Sequence, residues 1–198
     1  TICRFYQSAC FYCPVDWEEA RQYLAILNDF KGLPADAHRD FQRMLFHNQF
    51  TLALNMGNFD SVSTLIPEIE AWINREENRL TEIQILPFLC NFAVAEFLNG
   101  NILLANRFVT RILNMPNRKA RTDIREFALV LQAVLQFEMG NKELNEYLTR
   151  AGRRHFSNSS FDIKFELAVF KYLEVLSRAE SIKVERASLD RFIQELQE

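Results

Sequence analysis

The pair Gly-Asn occurs three times in this chain, each time closing an apolar run: "NMGNFD" at Asn55–Asp60, "LNGNIL" at Leu98–Leu103 and "EMGNKE" at Glu138–Glu143. Only five glycines are present, and three of them, Gly57, Gly100 and Gly140, stand in this context at spacings of 43 and 40 residues. Glycine then asparagine suits a helix that ends on a left-handed residue and a second helix that opens on a side-chain cap. The flanking segments have helical length. Phe41–Met56, Ile83–Leu98 and Ile124–Met139 precede the three glycines, and Phe59–Ile73, Ile102–Leu113 and Leu144–Phe156 follow them. Apolar residues recur there at helical spacing, as in Phe127, Val130, Leu131, Val134, Leu135 and Phe137 before Gly140, or Phe108, Ile112 and Leu113 after Gly100. Each copy reads as helix A, a tight turn, then helix B.

The flanks extend the frame. Pro14–Leu27 reads as a B helix with Val15 in the register of Gly57, and the Cys-rich start as its A helix. Phe161–Leu176 and Lys183–Leu196 read as a final A and B, with Ile182 at the register point. Five antiparallel pairs result, at about 1–32, 33–79, 80–117, 118–157 and 158–198, forming one domain. No segment alternates with period 2, so the expected class is all-α. A single pair cannot bury its own apolar stripe, whereas stacked copies can, which predicts a solenoid. Pro34 marks the start of the second A helix, and "TEIQ" at Thr81–Gln84 and "SSFD" at Ser159–Asp162 have capping-box form. Pro67 and Pro87 fall inside expected helices and predict a kink or a late start. Eighteen phenylalanines predict a core built on aromatic packing.

The run "DWEEARQYLAIL" resembles the second helix of a tetratricopeptide repeat, with Trp17, Ala20, Leu24 and Leu27 at that family's aromatic, small and apolar positions. "GNILLANRFVTRIL" repeats the pattern through Gly100, Ile102, Ala105, Val109 and Ile112, and Ala93 and Ala133 take the small, close-approach position of the A helices. Three features depart from it. Phe50 stands at that small position in the second repeat, Asn145 and Thr149 replace apolar residues in the fourth, and the spacing exceeds the family's usual length of about 34 residues. The chain is thus similar to a degenerate, elongated tetratricopeptide array, and a HEAT-like stack of helix pairs is the rival. The resemblance implies a right-handed α-α superhelix whose A helices line a concave face.

Composition narrows the function. A net charge of −3 offers no general attraction to nucleic acid or to an anionic membrane. No apolar run is long enough to span a bilayer, and the opening residues do not form a secretory signal. The start at Thr1 reads as a chain entered part-way, so a fragment of a longer protein is expected. A truncated first helix would leave an apolar edge open to self-association. Cys3, Cys10, Cys13 and Cys90 read as thiols in a reducing, cytoplasmic setting. Cys10 and Cys13 form a C-x2-C pair, but no second pair at suitable spacing supplies the four ligands zinc needs. The histidines His38, His47 and His155 have no local nucleophile signature beside them, and there is no phosphate loop, H-E-x-x-H or nucleophile elbow. Neither an enzyme nor a cofactor or metal is expected.

Charge is unevenly laid out. Arg107, Arg111, Arg118, Lys119, Arg121 and Arg125 face only Asp123 in their stretch, while Asp60–Glu82 is acidic. A basic docking surface is one reading; solvated faces that pair between neighbouring repeats is the weightier one. Polar residues within the apolar A helices say more. Asn48 and Asn91 share a register position, as do Gln49 and Gln132, and Glu96 and Gln136. On a concave face such residues form a polar ladder that grips an extended peptide, with Arg43, His47 and Arg125 adding charge at the rim. Equally, buried amides bond to each other between helices. The expected function is a non-catalytic scaffold that holds a protein or peptide. The alternative is a ligand- or peptide-sensing regulatory domain of a larger signalling or transcription protein.

Overall fold

The computed structural model describes residues 17–30, 33–157, 164–177 and 192. They are mostly helical, with no strand among them. Eight α-helices are described: α1 (Trp17–Asn28), α2 (Ala35–Asn55), α3 (Phe59–Glu76), α4 (Glu82–Leu98), α5 (Ile102–Asn114), α6 (Thr122–Glu138), α7 (Lys142–Ser157) and α8 (Lys164–Ser177). In the repeat frame, α2, α4, α6 and α8 are A helices and α1, α3, α5 and α7 are B helices. The expected helices at 1–13 and 183–196, the "SSFD" box, Cys3, Cys10, Cys13 and Ile182 lie outside the described residues.

Local chemistry accounts for the boundaries. Pro34, with φ −55° and ψ 151°, stands just before α2, which starts at Ala35, as the proline predicts. The fixed φ of proline is spent where no helical hydrogen bond is needed. Asn58 caps α3 by accepting from Ser61 N at 3.2 Å. Thr81 and Gln84 form the expected capping box of α4, with Thr81 N donating to Gln84 Oε1 at 2.9 Å. Pro67 and Pro87 produce no late start: α3 and α4 both run through them.

Each A-to-B turn is the same hydrogen-bonded object. Gly57, Gly100 and Gly140 have φ of +66°, +76° and +72°. Their N–H groups donate to Leu54, Phe97 and Phe137 carbonyls at 3.1, 3.0 and 2.9 Å. The following Asn58, Asn101 and Asn141 N–H groups donate to Ala53, Glu96 and Gln136 carbonyls at 2.9, 2.8 and 3.0 Å. This paired 5→2 and 6→1 bonding is the Schellman motif, which satisfies the last carbonyls of a helix through one left-handed residue. A Cβ on any of the three glycines would meet nothing within 4 Å. Their requirement is therefore conformational, not spatial. Gly140→Ala is expected to cost about 1 kcal/mol, the left-handed penalty alone. Gly140→Asn should cost less, because Asn tolerates that region. Urea unfolding of the two variants checks the order.

The chain divides into two compact units, residues 1–101 and 102–198. In the first, α2 packs on α1, α3 and α4, and α3 also packs on α4. Its core is aromatic, as the phenylalanine content predicts. Phe46 meets Trp72 edge-on at 5.5 Å between centroids, Trp72 meets Phe88 at 6.1 Å, and Phe50 meets Phe92 at 5.3 Å. Phe50, the departure from the small-residue pattern, is fully buried against the Phe92 ring. His47 also lies edge-on to Phe88, at 6.1 Å. The pairs 47–88 and 50–92 advance in the same sense, so α2 and α4 run parallel.

In the second unit, α6 packs on α5, α7 and α8, and α7 on α8. Val130, Ala133, Phe156, Val169, Phe170 and Leu173 form one buried apolar cluster of this unit. Both units thus show one neighbour pattern: each complete hairpin packs A on B, and the next A helix touches both.

Candidate functional site

The expected site rested on polar side chains of the A helices, and the structure sorts them into two groups. Glu96 and Gln136 belong to the turns. Each is the residue whose carbonyl takes the 6→1 bond, and its side chain then reaches the asparagine after the glycine. Asn101 Nδ2 donates to Glu96 Oε2 at 2.7 Å, and Asn141 Nδ2 donates to Gln136 Oε1 at 2.7 Å. Gln136 also donates from Nε2 to Asn106 Oδ1 of α5 at 3.2 Å, tying the hairpin to the preceding B helix. Ala53 holds the equivalent place in the first described turn, and there Asn58 caps α3 instead.

Arg125 is also occupied. The side chain is 7% exposed and its guanidinium donates to four carbonyls: Ala120 at 3.2 Å, Ile112 at 2.9 Å, Met115 at 3.1 Å and Asn117 at 2.8 Å. It ties the α5–α6 connection together and is no rim charge. Three more members of the basic stretch also have partners within the fold. Arg118 donates to the Leu113 carbonyl at 3.0 Å, and Arg107 lies 4.7 Å over the Phe108 ring. Arg121, which opens α6 at φ +45°, pairs with Asp123 at 2.7 Å. Hydrogen bonding to that guanidinium holds the Asp123 carboxyl below its ordinary range.

The remaining expected residues lie on α2, α4 and α6. Asn48 is exposed on α2, while Arg43 and His47, one turn apart and on a common face of that helix, are half-buried. Gln49 on α2 and Gln132 on α6 are half-buried. Arg43 Nε lies 3.7 Å from Asp40 Oδ1, an ion pair beyond hydrogen-bond reach. Asn91 on α4 is buried, and its Nδ2 has no hydrogen-bond partner among the described residues, as is true of Arg43 Nε and Thr51 Oγ1. The structure thus sets Arg43 and His47 on one face of α2, with Asn48 beside it, and sets Asn91 one turn beyond Phe88, the ring that His47 touches.

Asn145 and Thr149 were legible only as departures from an apolar pattern. Asn145 pins three helices: Nδ2 donates to the Ala133 carbonyl of α6 at 2.8 Å, and Oδ1 accepts from Ser177 Oγ of α8 at 2.9 Å. Thr149 is buried beside it, one turn on. Cys90 is a buried thiol. Among the described residues, no three His, Cys, Asp or Glu side chains converge on a point that would hold a metal ion. No described helix is long and apolar enough to cross a membrane. No family model matches the chain, and neither a curated protein nor a solved structure matches it.

Proposed function

We propose that this chain is a non-catalytic, cytoplasmic module that binds a protein or peptide on the polar face of its A helices. The repeats would continue one another as a right-handed, tetratricopeptide-like superhelix. The observation that carries this reading is the threefold hairpin: three turns with the same glycine conformation and the same two backbone bonds. A chain built from one repeated hairpin sets equivalent residues of successive A helices at equivalent heights. The neighbour pattern within each unit supports the same arrangement. Rigid helices also lower the entropy lost on gripping an extended partner, whose backbone amides and carbonyls suit Asn and Gln side chains.

The binding residues of this reading are Asn48, His47, Arg43 and Asn91 in the first unit and Gln132 in the second. Glu96, Gln136 and Arg125 are set apart, because truncating them disturbs turns and a connection. Asn48→Ala with Gln132→Ala is expected to weaken partner capture at least tenfold while circular dichroism and melting stay as in the parent. Unchanged capture by that double variant moves the site off the A helices.

A further inference from the structure

Resting on that reading, one residue at the end of an A helix, Glu96, kept out of the binding set above because truncating it would disturb its turn, specifies the chemistry of what the face holds. Glu96 is 5% exposed, yet among the described residues a single neutral donor, Asn101 Nδ2, reaches its carboxylate. Buried carboxylates are otherwise paired with a cation or held by several donors, because an anion taken out of water keeps its desolvation cost. The chain contains its own control. Gln136 has the same place in the next turn, makes the same 2.7 Å contact to the asparagine after glycine, and carries no charge. A neutral amide therefore suffices for the turn, and the charge at Glu96 is surplus to it.

The two positions also differ in their second terminal atom. Gln136 Nε2 reaches Asn106, six residues after Gly100. Ser63 stands six residues after Gly57, in the corresponding place for Glu96, and its hydroxyl accepts from Asn99 Nδ2 at 2.8 Å instead. Glu96 Oε1 is thus left without a described donor, on a carboxylate that the fold does not need as an anion.

We propose that Glu96 Oε1 receives a cationic group of the bound peptide, an ammonium or a guanidinium. The cation would complete the carboxylate's pairing while Asn101 keeps Oε2 in place. A charge-assisted bond to a side chain only 5% exposed discriminates strongly against a neutral group of the same shape. The partner of the A-helix face is therefore a peptide with a lysine, an arginine or its own N-terminus placed at this point.

The Asn101 side-chain amide reports on the site directly. The full chain is titrated with N-acetyl-lysine methylamide, N-acetyl-arginine methylamide and alanine amide, and with N-acetyl-glutamine methylamide as the neutral control. The Asn101 Nδ2 resonances are followed in 1H–15N spectra. A saturable shift is expected with at least one cation and not with the neutral compound, and the tightest of the three names the source. Glu96→Gln, built to keep the turn as Gln136 does, should retain the parent melting temperature and lose affinity for that cation about tenfold or more. No shift with any cation, an equal shift with the neutral compound, or a shift that persists in Glu96→Gln overturns the assignment. The groove reading is tested separately by Asn48 and Gln132, so either can fall while the other stands.

Discussion

Gly152→Ala is expected to destabilise the second unit, although helix propensity alone predicts the opposite. Gly152 is buried inside α7, and Ala there would gain about 1 kcal/mol from backbone propensity. A Cβ at this position, however, would stand 2.6 and 2.7 Å from the two ε carbons of Phe170, and closer still to its ζ carbon. The ring has no room to retreat: Phe170 is 1% exposed and packs against Phe156 with centroids 5.7 Å apart. Forcing an extra methyl into such packing costs about 1–3 kcal/mol, which outweighs the propensity gain at most of that range. For a chain of this size the melting temperature should fall by several degrees, at about 2–4 °C per kcal/mol. Phe170→Leu combined with Gly152→Ala should recover part of the loss, a coupling that a double-mutant cycle measures. A rise in melting temperature for Gly152→Ala alone would show that α7 and α8 are not this close.

The largest electrostatic effect is expected at Arg125. Its guanidinium satisfies carbonyls of Ile112, Met115, Asn117 and Ala120, one at the end of α5 and three in the connection that follows. The α5 terminus also carries the negative end of the helix dipole, which favours a cation there. Arg125→Met keeps most of the apolar volume and removes all four donations, for an expected loss of about 2–4 kcal/mol. Arg125→Lys should recover little, because one ammonium cannot span four acceptors laid out for a planar fork. Urea unfolding gives the free energy. Amide hydrogen exchange locates it: Arg118, Lys119 and Ala120 should lose protection before the helices do. If Arg125→Lys equals the parent, the fork geometry is irrelevant and the connection is held by other contacts.

These two residues mark where sequence reasoning stops. The turns were legible because the need is local: a left-handed residue after a helix calls for glycine, and the chain spends its scarce glycines there. The all-α class followed from periodicity for the same reason. Gly152 has no such local sign, since its need comes from a ring on another helix. Arg125 read as one member of a basic run, and its carbonyl partners are scattered over the preceding connection and the end of α5. Glu96 and Gln136 read as equal steps of a polar ladder. Their shared contact was in fact written in the sequence as an acid or amide five residues before the Asn of Gly-Asn. The spacing becomes meaningful once the Schellman turn brings those positions face to face. Asn145 and Thr149 show the converse: they read only as departures from the repeat, whereas Asn145 is pinned to a carbonyl and a hydroxyl of two other helices and Thr149 is buried beside it.

The central claim is that partners sit on the A helices, and site-specific photo-crosslinking in cells of the source organism tests it most directly. A benzophenone side chain is placed singly at Asn48 and Gln132 on A helices, and at Leu103 and Tyr147, which are 76% and 61% exposed on B helices. One shared partner captured from positions 48 and 132, and not from 103 or 147, is the predicted result. A partner captured from 103 and 147 alone would place binding on the B helices and contradict the account.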